Sequence, residues 1–321
     1  MSGQQEELGL AEAPVIERAK AMIGAEKLTI AEAAKLAGVG ESTLAAWLSG
    51  TYAGNNERVE ARVKSWLGSH EHVRRARKDL PQIPWAETPT GESILSALDH
   101  AQTIPDVVIV TGGAGVGKTM ACRRYAETRP NIWMLTAEPS LASAHALLEY
   151  LGDVTGVAEP APTKRSRAIA ARLQGTHGLV IVDEAQHLTT GAVDQLRAVH
   201  DRADIGLALV GNEQVWARVD GGGRKAEFAQ LFSRVGMRVK ANRPTARDIG
   251  TVLDAAEVGE QKQRGLLRAI AAKPGALRGM VKALRVARLL AAGAGEELSE
   301  LHIQAAWTRI AGDAGSAESV A

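Results

Sequence analysis

One glycine-rich loop constrains this chain more than any other feature of its sequence. Residues 112–119 read Gly-Gly-Ala-Gly-Val-Gly-Lys-Thr and match the pattern G-x-x-x-x-G-K-[ST] in full. The loop follows the apolar run 107–110 and precedes a helical stretch, which is the context that the pattern requires. Backbone N–H groups of such a loop turn inward around phosphate oxygens, and the N-terminus of the helix adds partial positive charge.

The loop predicts a site for ATP and Mg²⁺. Lys118 is expected to reach the β- and γ-phosphates, and the hydroxyl of Thr119 is expected to ligate Mg²⁺. The predicted nucleotide-binding residues are Gly112, Gly113, Ala114, Gly115, Val116, Gly117, Lys118 and Thr119, together with Asp183.

Polar residues follow two further apolar runs. The segment 179–184 (LVIVDE) ends with Asp183, expected to hold Mg²⁺ through water, and Glu184, expected to act as the general base toward the attacking water. Asn212 follows the run 205–210 and is expected to hydrogen-bond the γ-phosphate or that water. The alternative for Asn212 is an ordinary turn residue, since Gly-Asn is a good turn pair.

Short apolar runs alternate with helical stretches over residues 92–240. Continuous apolar runs suit parallel strands buried on both faces, and helices between them predict an α/β doubly wound sheet. Residues 245–310 have helical patterns only, so a small helical lid is expected to follow the sheet. The predicted strands lie at 107–110, 132–135, 179–182 and 205–210.

The N-terminal part has the pattern of a helix-turn-helix. Helical spacing over residues 30–37 is followed by Gly38, by Ser42 as a candidate N-cap, and by a second helix. A third helix is predicted over 56–67, and the closely spaced prolines after it predict a linker. The predicted domains are 1–68 (helix-turn-helix, DNA-binding), 69–91 (basic, Pro-rich linker), 92–243 (ATPase core) and 244–321 (helical domain).

The three motifs of the predicted core resemble those of the AAA+ ATPases. In that family they are called Walker A (112–119 here), Walker B (Asp183 and Glu184) and sensor 1 (Asn212). The resemblance covers residues 92–290. It implies the α/β P-loop AAA+ fold and an enzyme that hydrolyses ATP to ADP and phosphate.

The same resemblance implies a homo-oligomer, because an arginine of one AAA+ subunit reaches the γ-phosphate of its neighbour. The segment LFSRV places Arg234 where the family usually carries that arginine, and Arg224 is the competing candidate. Arg278, in Pro-Gly-Ala-Leu-Arg, resembles the sensor 2 arginine, which faces the nucleotide from a helix start. Both Arg234 and Arg278 are thus implied to be catalytic.

Charge is distributed unevenly along the chain. The formal net charge is +1, but residues 224–290 carry 15 Lys and Arg against 5 Asp and Glu, a local balance of +10. Such a region attracts a phosphate backbone without reading its sequence. A short basic cluster, Lys164, Arg165 and Arg167, precedes a helix of the core and is expected to contribute to DNA contact.

The second helix of the helix-turn-helix, residues 42–49, has none of the Arg, Asn or Gln side chains that usually read bases. Ser42 and Thr43 are expected to contact DNA phosphates there, so mainly non-specific binding of double-stranded DNA is predicted. The alternative for these helices is a protein-interaction bundle.

The order of these parts, together with the segment GVGESTLAAWLSGTYAGN at 38–55, resembles the phage Mu B family of target-selection ATPases in DNA transposition. The resemblance implies ATP-bound subunits that form a helical filament on double-stranded DNA. It also implies a DNA transposase as partner, which receives that DNA and stimulates hydrolysis. The alternatives are an AAA+ replication initiator or helicase loader, a signalling ATPase with a specific operator, and a helper ATPase of the small insertion-sequence type.

The remaining sequence features indicate where in the cell the protein is expected to reside. Cys122 is the single cysteine, so neither an internal disulfide nor a Cys-based zinc site is expected. The N-terminus has no signal-peptide pattern, and no apolar run approaches the ~20 residues that span a bilayer. We therefore expect a protein of the bacterial host cytoplasm without membrane contact.

Overall fold

The computed structural model describes residues 14–78, 83–215 and 235–312. The chain divides into two compact units, Met1–Pro81 and Gln82–Ala321. Across these three described segments, no helix is both long and apolar enough to cross a lipid bilayer. The predicted domain boundaries at 68, 91 and 243 stay predictions.

The first unit is a bundle of helices. Thr29 and Glu32 form a capping box at the start of its second helix, and Gly38 ends that helix with φ of 66°, a left-handed conformation that glycine adopts at low cost. The core of the bundle includes Leu44 and Trp47. Its helices are α1 (Val15–Ala25), α2 (Ile30–Ala37), α3 (Glu41–Leu48) and α4 (Asn56–Lys78).

Two local predictions for this unit were wrong. Ser42 is not an N-cap, because α3 begins at Glu41 and Gly40 takes the capping position. The third predicted helix does not end at Leu67, where a linker was expected to follow, but continues to Lys78. Residues 68–78 contain no proline, and the one glycine among them, Gly68, costs a helix only about 1 kcal/mol.

The second unit is built on a parallel five-stranded sheet with the strand order β2-β3-β4-β1-β5. Its four predicted strands are confirmed, and each central strand is buried along its whole length. The fifth strand, at the edge beside β1, was missed because half-buried and exposed side chains alternate along most of it and form no continuous apolar run. The strands are β1 (Val107–Gly112), β2 (Ile132–Thr136), β3 (Leu179–Asp183), β4 (Gly206–Gly211) and β5 (Val235–Ala241).

Helices cover both faces of this sheet. Alternate strand residues face opposite sides, so that Ile109 and Leu209 pack in one core and Val108 and Val210 pack in the other. This three-layer arrangement confirms the predicted α/β class. The helices are α5 (Pro89–Thr103), α6 (Lys118–Thr128), α7 (Ala144–Thr155), α8 (Pro162–Leu173) and α9 (Thr190–Ala203), with short 3-10 turns at Pro139–Leu141 and Ala185–His187.

The chain after the sheet is helical, as predicted. Its apolar residues form a separate core that includes Leu253, Leu267 and Met280. The helices of this segment, called the lid below, are α10 (Ala246–Ala255), α11 (Gln261–Ala271), α12 (Ala276–Ala294) and α13 (Glu300–Ala311).

An extended strap, residues 83–88, joins the lid core to the sheet core. Ile83 and Ala86 pack against the lid core, whereas Trp85 packs against the core between the sheet and α5. Thr88 then caps α5 by accepting a hydrogen bond from the N–H of Gly91. The strap therefore ties the lid to the first helix of the sheet layer.

Asp248 makes a second connection between these parts. Its side chain is 0% exposed, and it accepts hydrogen bonds from the backbone N–H and the hydroxyl of both Thr90 and Thr245, at 2.7–2.9 Å. Burial opposes ionisation of this carboxyl, but the hydrogen bonds from Thr90 and Thr245 together lower its pKa below the ordinary value. The start of α10 is thus fixed to the start of α5 by a buried carboxylate.

Asp248→Asn is expected to lower the free energy of unfolding at pH 7 by about 2–4 kcal/mol, because an NH₂ group then faces donors that need an acceptor. The folded-state pKa is lowered, so the stabilisation is present above the unfolded pKa of about 3.9. It is lost as pH falls through the folded pKa. Urea unfolding from pH 7 down to pH 2 measures the gap between wild type and variant, which is expected to close at the acid end.

Asp254→Asn is the matched control on the same helix. Asp254 pairs with Arg264 at 2.7 Å, but its side chain is 69% exposed, so a change of about 0.5 kcal/mol or less is expected. Equal effects of the two substitutions at pH 7 would contradict the role given to Asp248.

Candidate nucleotide site

The phosphate loop connects β1 to α6. Gly117 takes the capping position before Lys118, with φ of 105°. The N–H of Gly113 donates to the carbonyl of Ala241 at 3.1 Å, and a Cβ added at Gly113 would lie 2.3 Å from the carbonyl oxygen of Asn242. The loop is therefore held against the end of β5, and glycine is needed there for the close approach as well as for phosphate binding.

The loop also contacts the lid directly. Gly115 has φ of 80°, and a Cβ on it would lie 2.0 Å from the carbonyl oxygen of Gly275. The backbone N–H of Arg278 donates to the carbonyl of Gly115 at 3.3 Å. These contacts place the first turn of α12, which carries the predicted sensor 2 arginine, beside the loop.

Lys118 is the first residue of α6, and its side chain contacts the phosphate loop. Its Nζ donates to the carbonyl oxygens of Gly112 and Gly113 at 2.9 and 2.8 Å. Burial is the largest influence and lowers the pKa of Lys118; the carboxylates of Glu184 and Asp183 oppose this shift, and the charge of Arg278 adds to it. Phosphate oxygens at this point would favour the charged ammonium.

Thr119 and Asp183 form an oxygen pair at the carboxyl end of β3. The hydroxyl of Thr119 donates to Oδ2 of Asp183 at 2.7 Å, and Asp183 is 1% exposed. Hydroxyl and carboxylate oxygens are ligands that suit Mg²⁺, which binds phosphate groups together with one or two protein oxygens. The pair therefore fits the predicted Mg²⁺ site.

Glu184 and Asn212 follow the neighbouring strands β3 and β4, and Gln186 lies between them. Glu184 has the left-handed φ of 54°, and its Oε2 accepts a hydrogen bond from Nε2 of Gln186 at 2.5 Å. Oδ1 of Asn212 accepts from the N–H of Gln214 at 2.9 Å. Because that contact requires the oxygen, the NH₂ end of the Asn212 amide remains to donate to a phosphate or to water.

These residues line one cleft of about 890 Å³, at the upper end of the ~300–1,000 Å³ of small-molecule sites. Asp183 is buried and is not among the lining residues, but it joins the group through its hydrogen bond from Thr119. The lining of the cleft includes residues of the strap and of α12. The predicted residues that line it directly include Gly112, Ala114, Gly115, Val116, Gly117, Lys118, Thr119, Glu184, Asn212 and Arg278.

Sequence reasoning missed part of the wall of this cleft. The strap residues Pro84 and Trp85 line it, although they fall in the predicted linker, and no local pattern assigns them. Lys282 and Arg285 also line it, and their spacing of four and seven residues from Arg278 on one helix could have indicated them. Arg123 and Arg124, on the helix that follows the loop, complete this basic wall.

The remaining predicted site residues lie elsewhere. Arg234 and its competitor Arg224 lie outside the described residues. Ser42 and Thr43 are in the first turn of α3, and Lys164 and Arg167 are exposed on α8. Arg165 is half buried, and its guanidinium donates to the carbonyl oxygens of Glu159 and Pro160, at 2.9 and 3.5 Å. DNA contact by these five residues stays a prediction, and for Arg165 the structure shows a loop-holding role.

Two protein-family models match this chain. One is described as an AAA domain and matches residues 104–219, which carry β1, the phosphate loop, Asp183, Glu184 and Asn212. The other is described as "Mu B transposition protein, C terminal" and matches residues 233–310, which include β5 and the lid.

Curated relatives match over three quarters of this chain or more. The "ATP-dependent target DNA activator B" of Escherichia phage Mu is 36% identical over 295 residues, which are 91% of this chain and 93% of the relative. The chain belongs to the Mu B family. Another relative of the Mu B family, the "Mu-like prophage FluMu DNA transposition protein B" of Haemophilus influenzae, is 35% identical over 245 residues, 75% of this chain and 84% of that protein.

Solved structures agree with this fold. The Aeropyrum pernix ORC1 protein, solved in complex with DNA, has a TM-score of 0.55 at 18% identity and covers 72% of this chain and 68% of its own. Drosophila ORC bound to DNA has a TM-score of 0.50 at 17% identity, with 75% and 66% covered. At these identities the likeness shows the fold alone. With the AAA domain and the Mu B relatives, it identifies this chain as an AAA+ ATPase.

Gly115→Ala is expected to weaken ATP binding about tenfold or more, because the added Cβ meets the Gly275 carbonyl and the loop must move away from its phosphate-binding geometry. Titration of the Mg²⁺-dependent binding of a fluorescent ATP analogue measures the effect.

Gly265→Ala in α11 is the matched control. A Cβ there meets nothing within 4 Å, so wild-type nucleotide affinity is expected, with slightly higher stability from the better helix former. Wild-type affinity in Gly115→Ala would show that the contact between the loop and α12 does not shape the site.

Proposed function

We propose that this chain is an ATP-dependent, largely non-specific double-stranded DNA-binding ATPase. It oligomerises as a filament on target DNA and delivers that DNA to a DNA transposase, which stimulates its hydrolysis. The observation that carries the proposal is that the phosphate loop, Glu184, Asn212 and Arg278 line one cleft, in a chain that aligns over 91% of its length with a relative named for ATP-dependent activation of target DNA.

Different residues of the cleft have different roles in the proposed hydrolysis of ATP. Thr119 and Asp183 would hold Mg²⁺, which would neutralise phosphate charge. Lys118 and Arg278 place positive charge on the phosphates from the loop and the lid. Glu184 accepts the proton of the attacking water, and the NH₂ of Asn212 holds that water or the γ-phosphate.

Assembly completes the site. Arg234 of one subunit is proposed to reach the γ-phosphate held by its neighbour, with Arg224 as the competing candidate. This contact aligns subunits while ATP is bound, and hydrolysis removes it. The DNA-coated state is therefore tied to the triphosphate, and the loss of the γ-phosphate loosens the filament.

DNA binding is proposed to depend on basic side chains of the lid. Arg264 and Arg288 are engaged inside it, because they donate to the carbonyl oxygens of Val258 and Ala256. Other cations are exposed and suit contact with a phosphate backbone without base reading. These include Arg243, Arg247, Lys262 and Arg268.

Two substitutions in the nucleotide site test whether ATP binding drives assembly on DNA. Lys118→Ala is expected to form no ATP-dependent filaments on random duplex DNA, because it can no longer hold the phosphates. Glu184→Gln is expected to assemble with ATP yet hydrolyse at least about 100-fold more slowly, because the general base is absent. Electron microscopy with ATP and with ADP, and phosphate release, measure both.

Glu213→Gln is the matched control, since Glu213 is an exposed carboxylate directly after Asn212 and pairs with Lys240 at 3.2 Å. It is expected to assemble and hydrolyse like wild type. Filaments of Lys118→Ala that depend on ATP would contradict the proposal.

Charge removal on the lid tests the mode of DNA binding. Lys262→Ala combined with Arg268→Ala is expected to weaken binding equally for all duplex sequences. It is also expected to reduce the slope of log affinity against log salt by about one for each cation that no longer meets a phosphate. Competition among random duplexes at several salt concentrations measures this. Arg129→Ala, which removes an exposed cation paired with Asp99 at the far end of α6, is the control.

The same competition assay tests the alternative of a replication initiator or helicase loader. An initiator would prefer one duplex strongly over the others, and such a preference would overturn the proposed non-specific binding.

A further inference from the structure

Gln186 is a buried polar residue inside the candidate site. It lies in the 3-10 turn Ala185–His187, directly after Glu184, and it is 9% exposed. A buried amide in this position requires hydrogen-bond partners. Its partners are two groups to which the proposed function gives roles, Glu184 and Asn212.

The orientation of the Gln186 amide is fixed by a backbone group. The N–H of Asn212 donates to Oε1 of Gln186 at 3.2 Å, and only the oxygen end of an amide can accept. Nε2 is therefore the end that faces Glu184, and it donates to Oε2 at 2.5 Å. The amide thus connects the loop after β4 to the carboxylate after β3.

Gly211 makes this bridge sterically possible. A Cβ on Gly211 would lie 2.3 Å from Oε1 of Gln186. The last residue of β4 therefore leaves room for the amide to reach the backbone of Asn212. Any larger residue would displace the amide from both of its partners.

The backbone around Glu184 is held as well. Its N–H donates to Oδ1 of Asp183 at 2.9 Å, and its carbonyl accepts from the N–H of His187 at 3.0 Å. These bonds fix the main chain and leave side-chain rotation to be restricted by Gln186. Since Gln186 engages Oε2, the second carboxylate oxygen, Oε1, keeps its capacity to accept a proton from water.

We propose that Gln186 is a positioning residue for ATP hydrolysis. Its amide holds one oxygen of the Glu184 carboxylate and ties it to the loop that presents Asn212, so that the base and the phosphate-facing amide keep one relative geometry. This inference rests on the proposed function of Glu184 as general base.

A purely structural role makes a different prediction, and Gln263 offers the comparison. Gln263 is 7% exposed, donates to Oε2 of Glu260 at 2.5 Å and to the carbonyl of Leu298 at 2.7 Å, and lies in the lid. Both glutamines are buried, and each donates a hydrogen bond to a carboxylate two or three residues earlier in the chain. Gln263→Ala therefore reproduces the loss of a buried amide at a position that does not line the cleft.

The test is steady-state ATP hydrolysis by the full chain with Mg²⁺ and random duplex DNA. Gln186→Ala is expected to lower kcat about 10- to 100-fold, because a misplaced base loses much of its effect. KM and the affinity for a fluorescent ATP analogue are expected to stay within about twofold. Gln186→Glu, nearly the same shape, is expected to lose as much, because it sets a carboxylate against Glu184. Gln263→Ala is expected to lose thermal stability with wild-type kcat.

A double-mutant cycle tests whether Gln186 affects kcat through Glu184. Adding Gln186→Ala to Glu184→Ala is expected to change kcat by less than about twofold, because the residue acts through Glu184. Wild-type kcat in both Gln186 variants, or a full further loss in the Glu184→Ala background, would overturn the inference while the proposed function stands. Wild-type hydrolysis by Glu184→Ala would instead overturn the base assignment itself, and this inference with it.

Discussion

The hydrogen bond from the N–H of Arg278 to the carbonyl of Gly115 joins the phosphate loop to the lid, and the geometry of the site depends on it. No side chain lies between the two backbones, because Gly115 and Gly275 meet closer than a Cβ would allow. A displacement of the loop is therefore passed to α12 directly. That helix has 19 residues and so extends about 28 Å, and it carries Lys282 and Arg285 along the same cleft.

The strap and the start of α5 are attached to the lid by a different kind of interaction. Asp248 uses a buried charge to hold the start of α10 on Thr90, and the strap inserts Ile83 and Trp85 into two separate cores. The lid is thus attached to the sheet layer at α5 as well as at the phosphate loop.

Much of this arrangement could be predicted because it is encoded locally. Strands such as 179–183 are buried on both faces and therefore appear as continuous apolar runs, and the phosphate loop has a spacing that few other structures require. The edge strand β5 was missed because one face is exposed, so that its apolar residues alternate with Gly236, Arg238 and Lys240 and form no continuous apolar run. The helix α4 is longer than predicted because the prolines that indicate a linker begin only at Pro81, beyond its last residue, Lys78.

Contacts between distant segments could not be predicted in the same way. The role of Gln186 depends on β3 and β4 being neighbours and on Gly211 leaving space for its amide, and neither fact follows from the residues around Gln186. The placement of Trp85 in the cleft depends on the strap crossing between two cores. These are properties of three-dimensional packing, which a one-dimensional pattern does not contain.

The proposed site has two tasks, nucleotide binding and hydrolysis, and charge and side-chain orientation affect them differently. Burial lowers the pKa of Lys118, and the nearby charge of Arg278 adds to this shift, so these cations are stabilised together when phosphates lie between them. In the proposed mechanism both cations act on the phosphates, whereas Gln186 and Asn212 orient Glu184 and the attacking water. On this proposal, affinity for the nucleotide depends mainly on the two cations and the rate of proton transfer mainly on the orientation of Glu184, so that a substitution is able to alter one without the other.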